Sequence, residues 1–226
     1  MELFLKGNSG GKYVFRNSVN KTIYIKDIKT ENLTILEGCL KYIENTLNYS
    51  FLSFTIDGRK GVIQLLERLY PNIPIQLCQF HQIKTILTYT TRNPKTECAK
   101  DLKELILLLT KSDKEIFLNN FNNLSDKYKD FLKEKSETDL IDRITGEILI
   151  ENSGYKHPRL RSAFRSIKTN MKYLFTYKNE KYLNLKIPNT TNCCDGKFGA
   201  IKGKIKIHRG LKVERKSKMF NKLIWD

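Results

Sequence analysis

The sequence predicts an α/β fold that is interrupted by a helical insertion. Short β-rich runs alternate with segments of helical period up to residue 91, which is the pattern of an α/β domain. The stretch that follows, 94–137, is helical in pattern almost throughout. The composition suits a packed core, because 40% of the 226 residues are hydrophobic and 11% are aromatic.

The first elements are predicted in the order β-β-α-β-α-β-α, and the two leading strands form a hairpin around the polar turn 17–20. Val, Ile, Tyr and Phe dominate the strands, and apolar residues recur every three or four positions in the helices. Asp57 ends the third strand, and Gly58 follows it. The predicted strands are 12–17, 21–27, 50–57 and 73–78, and the predicted helices are 30–48, 58–71 and 79–91.

The rest of the chain differs in kind. Two helices are predicted within 94–137, and the segment 138–157 is predicted to be irregular because it shows no clear period. A helix over 158–175 begins with Pro158, which the first turn tolerates. A short strand over 181–188 and two final helices complete the chain. The expected regions are 1–93 (first part of the core), 94–180 (mainly helical insertion) and 181–226 (end of the core and C-terminal helices).

Charge is the strongest signal in the composition. The chain has 41 Lys and Arg residues against 24 Asp and Glu residues, a formal net charge of +17. This excess favours a polyanionic partner, nucleic acid first and an anionic membrane surface second. A biased genome composition would also enrich lysine, so the charge by itself leaves this alternative open.

The sequence predicts a cytoplasmic protein. No apolar run approaches the ~20 residues that span a bilayer, and the start MELFLKGNSGG does not match a signal peptide. The cysteines at 39, 78, 98, 193 and 194 are odd in number and irregularly spaced, which indicates reduced thiols.

Two short motifs are candidates for chemistry. Asp57 stands at the carboxyl end of a strand, where α/β proteins bind ligands, and a carboxylate there can hold Mg²⁺. The alternative is a helix N-cap, a role that aspartate fills well. The motif CQFH contains Cys78 and His81, which have the spacing of half a zinc site, although the chain does not obviously contain the other half.

Two predicted helices carry basic residues along one face. The first is the helix over 158–175, whose opposite face is apolar and consists of Leu160, Phe164, Ile167 and Met171. The second lies in the segment after 189, where Asp195 comes before the basic residues. Such faces suit a phosphate backbone, and a solvated basic surface is the alternative for both. The basic residues are Arg161, Arg165, Lys168 and Lys172 in the first helix, and Lys202, Lys206 and Arg209 in the second.

Four segments in this order resemble the Mutator-like transposases, in particular their bacterial insertion-sequence branch. The resemblance covers residues 14–223. The segments are FTIDGRKG (54–61), PIQLCQFHQ (74–82), PRLRSAFRSIKTN (158–170), and IPNTTN (187–192) with GKFGAIKGKIKIHRGL (196–211) after it.

The resemblance implies an RNase H-like domain with a mixed sheet, flanking helices and an all-helical insertion before the last catalytic helix. Two aspartates and a glutamate of the family bind two Mg²⁺ (or Mn²⁺) ions, which support cleavage and joining of DNA strands. The implied partners are the element ends and target DNA, the intact enzyme is expected to be a homo-oligomer, and DNA-bound protein is expected at the bacterial nucleoid.

The resemblance also assigns residues. Asp57 corresponds to the second catalytic aspartate, Asp195 stands where the family has its glutamate, and His81 is implied as a further catalytic contact. CQFH is then a strand-to-helix signature beside the active site, for which zinc is not required. The implied motif residues are Cys78, His81, Thr190, Thr191 and Asn192, and the implied DNA contacts are Arg161, Arg165, Lys168, Lys202, Lys206 and Arg209.

The chain departs from the family pattern at two positions. Asp195 is one methylene shorter than the expected glutamate. The first aspartate is expected just before the VFR segment (14–16) and would fall at or before Met1, where Glu2 is the only nearby carboxylate. We therefore expect an N-terminally truncated copy of the transposase, and a catalytically inactive protein that still binds DNA is the alternative.

Overall fold

The computed structural model shows a mixed α/β protein. The chain forms two compact units, one made of Met1–His81 and Lys172–Asp226 and the other of Gln82–Met171. The structure describes residues 2–3, 11–141, 148–208 and 210–225. Within these ranges it describes all side chains except those at 2–3, 137–141, 148–153 and 193–195.

A three-stranded antiparallel sheet opens the first unit. Its central strand β2 (Gly11–Arg16) pairs with β1 (Glu2–Leu3) and with β3 (Thr22–Ile28). In the turn between β2 and β3, the N–H of Asn20 donates to the carbonyl of Asn17 over 3.0 Å. Asn20 has φ of 63°, a left-handed conformation that asparagine tolerates in turns. The predicted hairpin is therefore confirmed.

Two parallel strands follow in the same unit. The strands β4 (Phe54–Ile56) and β5 (Ile75–Leu77) pair in parallel and are connected by the helix α2 (Lys60–Leu69). All of β5 is buried, as expected for a parallel strand covered by other elements. The helix α1 (Leu33–Asn45) precedes β4 and begins at the N-cap Asn32, whose side chain accepts a hydrogen bond from the first turn. The predicted order of these elements is confirmed.

Two details of the predicted core are corrected or not confirmed. The described strands of this unit belong to separate sheets, so a single mixed sheet is not confirmed. The predicted strand over 181–188 is wrong, because Glu180–Leu185 forms a 3-10 helix. The side chain of Asn179 accepts the N–H of Lys181 over 3.0 Å, so local bonds engage the backbone here. Leu183 remains 56% exposed, and the alternating apolar residues therefore do not form a buried sheet face.

Two helices close the first unit and pack against the hairpin. They are α7 (Asn192–Ile207) and α8 (Val213–Trp225), as the sequence predicts. The hydroxyl of Thr22 in β3 donates to the carbonyl of Ile224 over 2.8 Å, which ties α8 to the hairpin. The shared core of these helices and β2 consists of Val14, Phe198, Ile201, Phe220 and Ile224, all buried.

The second unit is built mainly from helices. Two of them, α4 (Glu97–Leu107) and α5 (Lys114–Lys127), are the pair predicted within 94–137. The helices α3 (Gln79–Thr90) and α6 (Pro158–Leu174) have most of their residues in this unit. The apolar residues of these helices form its core, with Ile86, Leu102, Ile106, Phe117 and Ile167 fully buried.

A β-hairpin replaces the predicted irregular segment of the insertion. The strands β6 (Lys135–Ile141) and β7 (Ile148–Tyr155) pair antiparallel, and residues 142–147 lie outside the described part of the chain. At the base of the hairpin, the N–H of Lys156 donates to the carbonyl of Glu134 over 2.9 Å. The irregular assignment and the all-helical insertion are therefore wrong. Both strands mix charged and apolar residues, so their period is obscured. Their backbone hydrogen bonds run between the two strands, which the pattern of either strand alone does not show.

Candidate active site and basic surfaces

Asp57 lies at the carboxyl end of β4, and its side chain is exposed. The following Gly58 has φ of 88°, a conformation that glycine adopts without strain. The N-cap of α2 is Arg59, so the capping role considered for Asp57 is wrong. The carboxylate is therefore exposed at the edge of the parallel strands where α/β proteins bind ligands.

Cys78 follows β5 and lies beside the residue that precedes Asp57. Its N–H donates to the carbonyl of Ile56 over 2.7 Å and extends the parallel pairing by one residue. Cys78 is only 1% exposed, and His81 lies in the first turn of α3. Within the described part of the chain, no three His, Cys, Asp or Glu side chains form a group that could hold a metal ion. The described residues therefore do not complete a zinc site around CQFH.

The loop before α7 is bound to the residues around Cys78. The N–H of Gln79 donates to the carbonyl of Asn189 over 2.9 Å, and the side-chain amide of Asn189 donates back to the Gln79 side chain over 3.0 Å. The hydroxyl of Thr55 in β4 donates to the carbonyl of Pro188 over 3.0 Å. This loop therefore contacts β4 and the residues that directly follow β5.

Thr191 links this loop to α7 and contacts both outer residues of CQFH. Its N–H donates to the sulfur of Cys78 over 3.3 Å, and its hydroxyl oxygen lies 3.4 Å from Nδ1 of His81. Thr191 is the N-cap of α7 and is 4% exposed. The first turn of α7 therefore begins next to the strand end that carries Asp57.

The three cysteines with described side chains are buried free thiols, but their acidities differ. Burial raises the pKa of Cys78, but hydrogen bonds with His81 and Thr191 outweigh burial and bring this pKa below its usual value. Burial raises the pKa of the Cys39 thiol, and burial together with Asp101 raises the pKa of Cys98 to about 11. The reduced state predicted for these three residues is consistent with the structure.

The TTN motif lies partly in a cavity of about 190 Å³. Thr190 and Thr191 line this cavity, and Asn192 is the exposed first residue of α7. Arg16 and Phe54 also contribute to the lining. The sequence indicated that these three residues form a motif, but it did not indicate that Thr191 contacts Cys78.

Asp195 lies in the first turn of α7, and its side chain lies outside the described part of the structure. The same helix exposes Lys202 and Lys206, whereas Arg209 lies outside the described residues. Phe198 and Ile201 of the same helix are buried. The contacts of the predicted basic residues with DNA remain predictions.

Arg161 in α6 is engaged within the second unit. Its guanidinium donates to the carbonyl of Leu132 over 2.6 Å, and its central carbon lies 3.3 Å from the centre of the Tyr155 ring. Arg165 and Lys168 are exposed on the same helix. Of the basic residues predicted on this face, Arg161 therefore has a structural role at the base of the β6–β7 hairpin.

Sequence reasoning missed two buried glutamines next to the candidate site. Gln76 and Gln79 are fully buried, and each donates to the carbonyl of Leu174 at the end of α6, over 3.0 and 2.9 Å. The Gln76 side chain also accepts the N–H of Tyr177 over 2.9 Å. The last carbonyls of a helix lack intrahelical partners, and these two glutamines donate hydrogen bonds to one such carbonyl, that of Leu174. Two glutamines in the apolar run IQLCQ were the available signal.

The fold and these contacts define a mixed α/β protein with an exposed carboxylate at the carboxyl end of a parallel strand pair. The chain belongs to the Mutator family of transposases, because the model of that family (Transposase, Mutator family) matches residues 30–151. The matched range includes Asp57, Cys78 and His81. Comparison with curated proteins finds no match. None of the helices that the structure describes has the length and apolar content that crossing a bilayer requires.

Proposed function

We propose that this Mutator-family chain carries the catalytic domain of a DNA transposase, which cleaves and joins DNA strands by phosphoryl transfer in an RNase H-like fold. Its DNA partners on this proposal are the ends of an insertion element and the target. The intact enzyme acts as a homo-oligomer. Family membership supports the reaction class, and the positions of Asp57 and of the start of α7 support the choice of site.

The single observation that carries the proposal is the hydrogen bond between Thr191 and Cys78. Cys78 is bound through its N–H to Ile56, the residue before Asp57, and through its sulfur to the N-cap of α7. Two acidic positions distant in sequence, Asp57 and Asp195, thus belong to elements that begin or end at one edge of the parallel strands. A shared metal site requires that the backbone bring the two acidic residues to the same edge of the strands.

The chemistry of the residues present suits Mg²⁺. Mg²⁺ prefers carboxylate oxygens and retains several waters, so an exposed aspartate at a strand end is a suitable ligand. Asp57 and Asp195 would hold the ion, which would activate a water or 3′-hydroxyl and stabilise the leaving oxygen. The third carboxylate that the family resemblance implies, with Glu2 as its nearest candidate, remains a prediction, because the Glu2 side chain lies outside the described part.

Other residues of the chain would bind DNA or hold the start of α7 in place. Exposed basic residues would contact DNA phosphates without reading sequence. Hydrogen bonds to Gln79, Cys78 and His81 would keep the start of α7 in place while DNA binds. The exposed candidates for phosphate contact are Arg165, Lys168, Lys202 and Lys206.

The test combines metal binding with DNA nicking. Mn²⁺ affinity and Mg²⁺- or Mn²⁺-dependent nicking of supercoiled plasmid are measured for the wild type and for Asp57→Asn. The control is Asp130→Asn, which removes one charge from a side chain that is 99% exposed. We expect Asp57→Asn, but not Asp130→Asn, to lose Mn²⁺ binding and nicking. Where the wild type nicks plasmid, the nicking rate of Asp57→Asn should fall on the order of a thousandfold. Equal signals in all three proteins would contradict the proposal.

A second candidate function is DNA binding without strand cleavage. The formal net charge of +17 favours it, because a basic protein binds DNA whether or not it can cleave it. The same assay separates the two functions. Salt-sensitive DNA binding by a wild type that neither binds Mn²⁺ nor nicks plasmid would support this second function.

A further inference from the structure

The proposed chemistry assigns no role to the sulfur of Cys78, although this sulfur is bonded to the start of α7. We propose that Cys78 is a positioning residue, whose sulfur accepts the N–H of Thr191 and thereby sets the position of the first turn of α7 relative to Asp57. The hydrogen bond itself is independent of any activity. Its consequence for metal binding rests on the function proposed above.

The sulfur belongs to a buried residue whose main chain is bonded to β4. Cys78 is 1% exposed, and its own N–H is bonded to Ile56 at the end of β4 over 2.7 Å. The hydrogen bond fixes the main chain of Cys78 to the end of β4, and burial restricts the rotation of its side chain. The Thr191 N–H is bonded to this sulfur over 3.3 Å, in a position that water scarcely reaches.

Thr191 does not use its side chain in the usual way for a helix N-cap. A threonine at this position normally accepts an N–H of its own helix. No such bond is found for Thr191 among the described residues, and its hydroxyl oxygen instead lies 3.4 Å from His81. The side chain and the backbone of the N-cap thus both face the CQFH motif. The N-cap residue of α7 is therefore bound to the residues that follow β5.

The neighbouring contacts explain why the bond to the sulfur determines the position of Thr191. Asn189 is held by Gln79, and Pro188 is held by Thr55, so the loop is fixed up to two residues before Thr191. The contacts of Thr191 then set the direction in which α7 leaves the loop. The lowered pKa of Cys78, in which bonds to His81 and Thr191 outweigh burial, is consistent with a sulfur that acts as an acceptor.

The experiment measures amide hydrogen exchange at Thr191 and in the first turn of α7. The variants are Cys78→Ala, which removes the acceptor, and Cys78→Ser, which keeps one. The control is Cys39→Ala, which removes a buried thiol (4% exposed) from α1. Global stability is measured by urea unfolding in parallel, so that local exchange can be separated from a general loss of stability.

We expect exchange at Thr191 to increase about fivefold or more in Cys78→Ala, and to remain near the wild-type rate in Cys78→Ser and Cys39→Ala. Exchange at Thr191 that is equal in Cys78→Ala and Cys39→Ala would overturn the proposal. Mn²⁺ affinity is the second readout, and it should weaken in Cys78→Ala but not in Cys39→Ala. If the wild type fails to bind Mn²⁺, the proposed function fails, and exchange at Thr191 still decides the positioning role.

Discussion

Gln79 and Asn189 are bonded to each other twice, although 110 residues separate them. The backbone N–H of Gln79 donates to the carbonyl of Asn189, and the Asn189 amide donates to the Gln79 side chain, over 2.9 and 3.0 Å. This reciprocal pair attaches the loop before α7 to the first residue of α3. It is therefore one of the contacts that bring the N-terminal and C-terminal segments of the first unit together at the candidate site.

Removal of the side-chain bond of this pair should destabilise the protein measurably. We expect Asn189→Ala to lower the free energy of unfolding by ~1–3 kcal/mol, because it leaves the buried Gln79 acceptor without its donor. The exposed Asn184 provides a control, and Asn184→Ala should change stability by less than about 0.5 kcal/mol. Urea unfolding measures both values. Equal values for the two variants would show that the bond between the Asn189 and Gln79 side chains contributes nothing to stability.

Lys12 and Asp27 should respond unequally to mutation. The side chain of Lys12 is 5% exposed and that of Asp27 is 66% exposed, and the ammonium also donates to Ser217 over 2.8 Å. Asp27→Ala leaves a buried cation without its anion, whereas Lys12→Met leaves only an exposed carboxylate. We therefore expect Asp27→Ala to destabilise the protein more than Lys12→Met, by ~1 kcal/mol or more. The reverse order in thermal unfolding would refute this account.

The thiols of Cys78 and Cys39 should give stability opposite dependences on pH. In the unfolded chain both release a proton near pH ~8.5. The native pKa of Cys78 is lowered by its hydrogen bonds, which outweigh burial. Between the native and the unfolded pKa of Cys78, the native state therefore binds fewer protons than the unfolded chain, and the stability of the protein rises with pH. This contribution is lost as the pH falls through the native pKa.

For Cys39, burial raises the native pKa, so stability should fall as the pH rises above ~8.5. The measurement is the stability difference between the wild type and each cysteine-to-alanine variant, taken under reducing conditions from about pH 6 to about pH 10. The difference should grow with pH for Cys78→Ala and shrink for Cys39→Ala. Parallel curves for the two variants would contradict the assigned causes.

The basic residues of α6 should divide into two classes in DNA binding. Replacement of Arg165 and Lys168 by Gln should reduce the slope of log K against log salt by ~0.9 for each phosphate that the variant no longer neutralises. The control pair is Lys111→Gln with Lys114→Gln, which removes the same charge from other exposed positions. An unchanged slope in the α6 variant, relative to the wild type, would mean that these two residues are merely solvated.

Arg161→Gln should instead act on stability. The guanidinium is bonded to Leu132 and stacked on Tyr155, and these interactions together contribute ~1–2 kcal/mol. We expect a lower free energy of unfolding with a smaller change in salt slope than Arg165→Gln produces. Circular dichroism during urea unfolding and a DNA titration at several salt concentrations measure the two effects separately.

Local pattern predicted most of the secondary structure correctly. The helices α1, α2, α4 and α5 follow the period of their apolar residues, and the β2–β3 hairpin follows its polar turn. These elements are decided by interactions within a few residues, which a sequence displays directly. The two failures lie where the apolar pattern does not show how the backbone is satisfied. Segment 138–157, predicted to be irregular, contains strands whose backbones bond to each other, and segment 181–188, predicted to be a strand, lies largely in a 3-10 helix with a local side-chain bond from Asn179.

The candidate site shows the same division. The amino-acid sequence is enough to show which chemical groups are present: Asp57 at a strand end, the CQFH motif, the TTN motif and a strongly basic chain that resembles the Mutator family. The folded chain adds that the sulfur of Cys78 accepts the N–H of Thr191 and that Gln79 is bonded to Asn189. These contacts depend on the fold because a buried donor must find an acceptor, and spacing along the chain does not determine which acceptor lies within reach.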